Sequence, residues 1–343
     1  MKQIKDISKW VGAFAAAFIL VNVTLIPYYH YTPGIPLEVN ATNEIYYPES
    51  RFITAAEGWS TGRFDINGYL NDEESYNRDE YVLVMGSSHT MGKEVPNGYN
   101  FCEILDKQYD IPVYNIAMDG HFLNDNISGF SAALSQFDKA HKVVIEVSQD
   151  GLKVLTADML KQALHQKEYD VNRTGPNIVA GMSTVDRLKA ELQTWFPYRI
   201  LIKQKINALR ASDKGEEEFS KEEFYDSLSE ALGFIRSKYD KPIIILYHPN
   251  LEIDKNGEAY VSPNYKKQIL EKACVENNIL FEDMTDLFIE EYNSENKLPH
   301  GFMNTAPGSG HLNKTGHKLI AQKLNSVLKT YNNFEEEEYN DKF

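Results

Sequence analysis

Cysteine is scarce in this chain. Only Cys102 and Cys274 occur, in no metal-ligand spacing, so two ordinary, partly buried thiols are expected rather than a disulfide framework. Positive charge is short as well: 35 Lys and Arg against 50 Asp and Glu leave a net charge of −15, with no basic stripe. That balance excludes nucleic acid as a partner and otherwise serves solubility. A phosphate loop is also missing. The stretch from Gly86 to Gly92-Lys93 looks superficially like one, but five residues separate the glycines where four are needed, and Glu94 stands where Ser or Thr should follow the Lys. The nucleophile elbow G-x-S-x-G is absent too, because position 90 is Thr and no run of strands precedes it.

What is present begins with an N-terminal signal. Lys2, Lys5 and Lys9 precede an uncharged apolar run, 10–26, closed by Pro27-Tyr28-Tyr29. This is near the lower length limit of a membrane-spanning helix, and no small-x-small cleavage site follows it. The Lys bias puts the N-terminus (1–9) in the cytoplasm, residues 10–29 in the cell membrane as a single-pass anchor, and the rest outside. Residues 30–78 are rich in Pro, Gly, Asn, Tyr and acidic side chains without a sustained period. Their aromatic content predicts an ordered extracytoplasmic collar, with edge strands around Tyr46-Tyr47 and Arg51-Phe52-Ile53-Thr54 and a turn at Asp65-Ile66-Asn67-Gly68.

From about residue 79, apolar runs at 81–85, 112–118, 142–148, 242–247 and 279–283 alternate with helical patterns. Such alternation predicts a flavodoxin-like three-layer α/β/α sandwich with a five-stranded parallel sheet, over 79–331. The stretch 152–239 is longer than a simple crossover and reads as an inserted helical region, a lid or a docking surface. A last helix is expected from near Asn313 to about Tyr331, and the acidic tail 332–343 reads as disordered.

The chemistry gathers at strand ends. The first run stops at Gly86-Ser87-Ser88, which delivers Ser88 to the carboxyl edge of the sheet, where open α/β folds bind ligands. A Ser hydroxyl needs a base, and His311 in Gly310-His311-Leu-Asn-Lys-Thr-Gly-His317 supplies one after the last strand. The N–H of Ser88, the N–H of Gly120 and the side-chain amide of Gln149 stand at the same edge as donors for a tetrahedral oxyanion. His89, His300 and His317 have no local metal-ligand spacing, so no metal and no cofactor are expected. His89 and Asn304 are candidates for substrate contact, and Asp119 for the pocket.

These blocks resemble the SGNH (GDSL-like) hydrolases. Gly86-Ser87-Ser88 matches the first block with Ser87 in place of Asp, and Asn115-Ile-Ala-Met-Asp-Gly120 is similar to the second. Val147-Ser-Gln-Asp150 falls where the third stands, with Gln149 at the oxyanion Asn, and His311-Leu-Asn-Lys-Thr-Gly316 is similar to the His block. The family places an Asp three residues before the His. Here that position is Gly308, which leaves a backbone carbonyl or a carboxylate from elsewhere, such as Asp283 or Asp286, to orient His311. The resemblance implies an acyl-ester hydrolase or O-acyltransferase working through an acyl-serine. Similar membrane-anchored members act as O-acetyltransferases or deacetylating esterases on cell-envelope glycans, so the implied partner is an acylated glycan or acyl donor. A transferase would also need a multispanning membrane partner to deliver that donor. The missing Asp, together with Ser87 and Gln149 in place of the usual residues, motivates the other class of reading, a catalytically impaired SGNH-fold protein that binds glycan or serves in assembly.

Overall fold

The structure, a computed structural model, describes residues 2–20, 37–40, 43–46, 48–54, 57–72, 74–165, 183–185, 188 and 220–340. Helix α1 covers Lys2–Leu20. Among the described residues no helix is long and apolar enough to cross a membrane. The anchor expected over 10–29 runs into 21–29, which lie outside the described residues.

The collar folds as two small hairpins. Strand β1 (Leu37–Asn40) pairs with β2 (Asn43–Ile45), and β3 (Arg51–Thr54) with β4 (Ser60–Arg63), all antiparallel. These are separate two-stranded sheets rather than edges added to the main one. The expected turn forms: Asp65 Oδ1 accepts from the N–H of Asn67 at 2.8 Å and of Tyr69 at 3.0 Å, and Gly68 takes φ +85°.

The main sheet comprises β5 (Tyr81–Met85), β6 (Val113–Asn115), β7 (Ala140–Ser148), β8 (Ile243–His248) and β11 (Leu280–Asp283), after a small hairpin of β9 (Glu252–Ile253) and β10 (Ala259–Tyr260). Its order is β11-β8-β7-β5-β6 with every pairing parallel. Counted along the chain this is the flavodoxin-like winding. Strand alternation sorts the core into two layers. Leu83, Val143, Ile145, Ile243 and Ile245 face one side, packed by α4 (Leu123–Gln136), α6 (Ala157–His165), α7 (Lys221–Lys238) and α8 (Tyr265–Glu276). Val82, Val84, Val144, Ile244 and Leu246 face the other, covered by α3 (Phe101–Gln108), α9 (Thr285–Glu295) and α10 (Lys314–Asn340). The short helices α2 (Ser88–Met91) and α5 (Gln149–Val154) follow β5 and β7 directly.

Two helices differ from their expected roles. Helix α7 is not part of an appended lid. Phe224, Leu228, Ala231, Leu232 and Ile235 recur at helical spacing, are buried, and make it a covering helix of the sandwich, capped by Ser220 on the Glu223 N–H at 3.0 Å. The rest of the supposed insertion, 166–219 apart from 183–185 and 188, lies outside the described residues. Helix α10 continues to Asn340, past the end expected near Tyr331, since 332–340 hold no Gly or Pro and Glu is a good helix former. Cys102 and Cys274 are free and buried.

The collar is seated at the carboxyl edge of the sheet. Tyr46, Phe52 and Phe64 pack with Met91, Ala117 and Met118, residues of the turns that follow β5 and β6. Polar contacts fix the same interface. Tyr114 donates its hydroxyl to Asp65 Oδ2 at 2.6 Å, and Asn71 bonds both the N–H and the carbonyl of Asn115, at 2.8 and 2.9 Å. Asp65→Ala removes the acceptor for four donors in a buried setting, so it is expected to cost about 2–3 kcal/mol. A urea unfolding curve should show this as a lower midpoint with an unchanged slope.

Candidate active site

The strand-to-helix turn that carries Ser88 is held from below by one carboxylate. Glu146, on β7 beside β5, is fully enclosed. Its Oε2 accepts from the Ser87 N–H at 2.8 Å, the Ser87 hydroxyl at 2.7 Å and the Thr90 hydroxyl at 3.1 Å. Its Oε1 lies 2.9 Å from His248 Nε2. Burial opposes ionisation here, but the hydrogen bond and charge of His248, the His89 ring and the Ser87 amide outweigh it and hold the carboxyl at about 2. Gly86 is needed at this point because a Cβ would stand 2.8 Å from Glu146 Oε2. Ser87, where the resembled family has Asp, also caps α2 by accepting from the His89 N–H at 3.2 Å.

On this platform Ser88 projects its hydroxyl to His311, with Oγ 2.8 Å from Nε2. The loop bearing His311 is tied down by the backbone bond from Gly301 N–H to His311 O at 2.9 Å and by Asn313, whose side chain donates to the carbonyls of Leu298 and Gly301. On the other side of the imidazole stands Glu57. Its Oε2 accepts from the His311 backbone N–H at 2.7 Å and lies 3.1 Å from His311 Nδ1. The Nδ1 contact is at ion-pair distance but off the axis of an aligned hydrogen bond, so Nδ1 is not formally paired. The carboxylate faces the correct nitrogen to hold the tautomer whose Nε2 lone pair is turned to Ser88.

Glu57 therefore replaces both carboxylates considered from the sequence. Asp283 sits at the end of edge strand β11, paired with Lys267 and accepting from Thr285. Asp286 lies in the first turn of α9, which follows that strand. Position 308 could not hold an acid either, since Gly308 has φ +74° and a Cβ there would collide with the Leu251 carbonyl. Gly310, with φ +90°, leaves room for Glu57, whose carboxylate would touch a Cβ at that position. Nothing in the sequence marks Glu57, which reaches His311 across 254 positions.

The oxyanion candidates fall on three neighbouring strand ends, since β5 lies between β6 and β7. Ser88 is the first residue of α2, so its N–H has no intrahelical acceptor. Gly120, at φ +75°, faces open space where a Cβ would be. Gln149 is buried, accepts from the Asn250 N–H at 3.1 Å through Oε1, and leaves its Nε2 without a partner. A buried amide donor left unpaired is costly unless a ligand uses it. Beside Gly120, Asp119 contacts Lys93 and the Tyr46 hydroxyl, which fastens this turn to the collar. Asn304 is exposed in the turn 302–305 of the loop ahead of His311.

Four further histidines, His89, His248, His300 and His317, lie inward of this pair. His89 Nδ1 accepts from the Leu312 N–H at 3.3 Å, and its ring packs 5.1 Å from that of His311 and 4.8 Å from that of His248. His300 Nε2 is 3.2 Å from His248 Nδ1. Burial pushes His89 and His300 well below the ordinary imidazole value, and His317, behind Phe101, to about 3. His248 was not singled out in the sequence, and His89 proves to be surrounded by imidazoles as much as by the site opening.

Comparison with protein-family models finds no match, and comparison with curated proteins finds none. Among solved structures the chain is similar to a psychrotrophic esterase, EstA, from Pseudoalteromonas sp. inhibited by monoethylphosphonate, at 13% identity over 74% of this chain and 99% of that one, with a TM-score of 0.39. It is also similar to an acetyl xylan esterase, AlAXEase (13% identity, 72% and 99% covered, TM-score 0.41). A third is a putative lipolytic protein of the G-D-S-L family from Desulfitobacterium hafniense DCB-2 (17% identity, 72% and 98% covered, TM-score 0.36). At such distance the side chains of this chain, not its neighbours, decide its chemistry.

Two expectations follow. Glu57→Gln removes the charge facing His311 Nδ1; with Ser88 and His311 acting as nucleophile and base, it should lower ester turnover on the order of 10²–10⁴-fold, while Gly308→Asp in the same background should not restore it, and steady-state rates on an ester check both. Glu146 has a folded value below its ordinary 4.5, so the stability it contributes is complete above about pH 4.5 and is lost as pH falls towards 2. Thermal melts of Glu146→Gln across that window should show a flatter acid limb than the parent.

Proposed function

We propose that the protein is a membrane-anchored, extracytoplasmic serine enzyme that cleaves or transfers acyl groups on cell-envelope glycan through an acyl-Ser88 intermediate. The observation that carries the reading is the 2.8 Å contact of Ser88 Oγ with His311 Nε2, backed by Glu57. In the first half-reaction His311 Nε2 takes the Ser88 proton as Oγ bonds to the acyl carbonyl carbon. The oxyanion forms opposite the N–H groups of Ser88 and Gly120 and the unpaired Gln149 amide. Collapse breaks the ester bond, and the imidazolium, held by Glu57, returns its proton to the departing alkoxide. In the second half-reaction His311 deprotonates water or a sugar hydroxyl, that oxygen bonds to the acyl carbon, and Ser88 leaves with the proton restored.

The glycan and the membrane enter by different routes. The ordered blocks around Ser88, Gly120, Gln149 and His311 resemble a family with such members, and a carbohydrate ester fits a site open at the sheet edge, where Glu57 and His311 keep 23% and 28% of their side-chain surface. Supporting an anchor over 10–29, the described part of that segment leaves Trp10 and Phe14 largely exposed, behind Lys2, Lys5 and Lys9. A transferase outcome would require an acyl donor handed over by a multispanning partner. One reason for a non-catalytic reading, the absent acid at 308, loses force because Glu57 faces His311 Nδ1 at 3.1 Å.

The full chain in detergent, given a chromogenic acetyl ester, is expected to turn over and to be labelled on Ser88 by a phosphonate. Ser88→Ala and His311→Ala should each lose activity on the order of 10³-fold or more. Wild-type protein with neither turnover nor label would refute the reading. With a glycan acceptor added, acetylated sugar rather than free acetate identifies transfer.

A further inference from the structure

Behind the Ser88–His311 pair, three imidazoles arrive from three separate parts of the chain: His89 on α2, His248 at the end of β8, and His300 in the loop before His311. One nitrogen of each lies within 4.8 Å of a nitrogen of the other two. His248 Nδ1 and His300 Nε2 are 3.2 Å apart. Two imidazole nitrogens on one tetrahedral zinc, with bonds of 2.0–2.1 Å, stand about 3.3 Å apart, so this pair is already at chelating separation.

Two further observations point to a cation. The outer nitrogen of His248 is held by Glu146 at 2.9 Å, which places the proton on Nε2 and turns the Nδ1 lone pair inward, the orientation that carboxylates impose on metal-binding histidines. Glu146 itself accepts from the Ser87 amide, two hydroxyls and an imidazole, none with a fixed positive charge. Once His248 gives up its Nδ1 proton, as ligation requires, this fully buried carboxylate loses the imidazolium charge beside it, and a dication on the imidazoles would replace that charge. We propose that His89, His248 and His300 bind one divalent late transition-metal ion, Zn²⁺ foremost, which ties the nucleophile turn to the His311 loop and acts structurally.

His89 is the weakest of the three ligands. Its Nδ1 accepts the Leu312 N–H at 3.3 Å, and ligation through Nε2 requires the proton to shift to Nδ1 and that long contact to open. The same 3.2 Å between His248 and His300 also suits a hydrogen bond from His300 Nε2–H to His248 Nδ1, with a single proton in place of the metal. Binding measurements separate the two arrangements, and they do so whether or not the chain is an esterase.

The full chain, stripped with a chelator, is titrated with Co²⁺ followed by its visible absorption, and with Zn²⁺ against a chromophoric chelator. One equivalent should bind, with a tetrahedral Co²⁺ spectrum. Affinity should fall more than about 100-fold in His248→Asn and His300→Ala and about 10–100-fold in Glu146→Gln. It should be unchanged in His311→Ala and in His165→Ala, an exposed control. Circular dichroism checks that each variant folds. Should the His248 and His300 variants fail to fold, X-ray absorption of Zn²⁺-loaded wild type must still show a three-imidazole shell. Absence of stoichiometric binding, or binding lost in His311→Ala but kept in folded His300→Ala, overturns the proposal.

Discussion

The contact between Glu57 and His311 is the constraint on which the rest of this molecule depends. A catalytic imidazole must be turned to its nucleophile and steadied when it becomes charged, and a backbone loop alone does neither well. Here the steadying carboxylate comes from a segment ahead of the sheet, while the imidazole comes from the loop after it. The collar must therefore be fixed to the carboxyl edge as firmly as the core strands are to one another. The aromatic packing of Tyr46, Phe52 and Phe64 on Met91 and Met118, and the buried Asp65–Tyr114 and Asn71–Asn115 bonds, meet that demand.

A second carboxylate, Glu146, performs a complementary task from inside. It gathers Ser87, Thr90 and His248 on its two oxygens and so fixes where Ser88 stands. The two acids divide the work by depth. Glu57, part exposed, faces the base across the site, whereas Glu146, enclosed, holds the turn and never meets the reacting atoms. This division explains why Ser87 can replace the Asp of the resembled motif: its hydroxyl is a donor to Glu146, which already supplies the negative charge at that turn.

Much of the sheet was legible because parallel strands buried on both faces read as apolar runs, the first stopping at Gly86 and the third at Ser148. Ser88, Gly120 and Gln149 could be placed for the same reason, as residues just beyond those runs, whereas His311 was marked by its own block after the last strand. Glu57 could not. It lies in a stretch with no period, and its partner is set by tertiary packing of the collar rather than by spacing. His248 escaped notice similarly: as the last residue of β8 it looks like strand filler, and local ligand spacing cannot reveal imidazoles that meet from positions 89, 248 and 300. Helix α7 departs from the expected insertion because length alone suggests one, while its buried stripe makes it a layer of the sandwich.

The proposed role of the collar's Glu57, orienting His311 as the base of the site, is tested most directly by proton NMR of the His311 Nδ1–H in the phosphonate adduct of Ser88. A strongly low-field resonance is expected in the wild-type adduct, moving upfield or exchanging away in the Glu57→Gln adduct. The same low-field resonance unchanged in Glu57→Gln would contradict that role, because another group would then be holding His311.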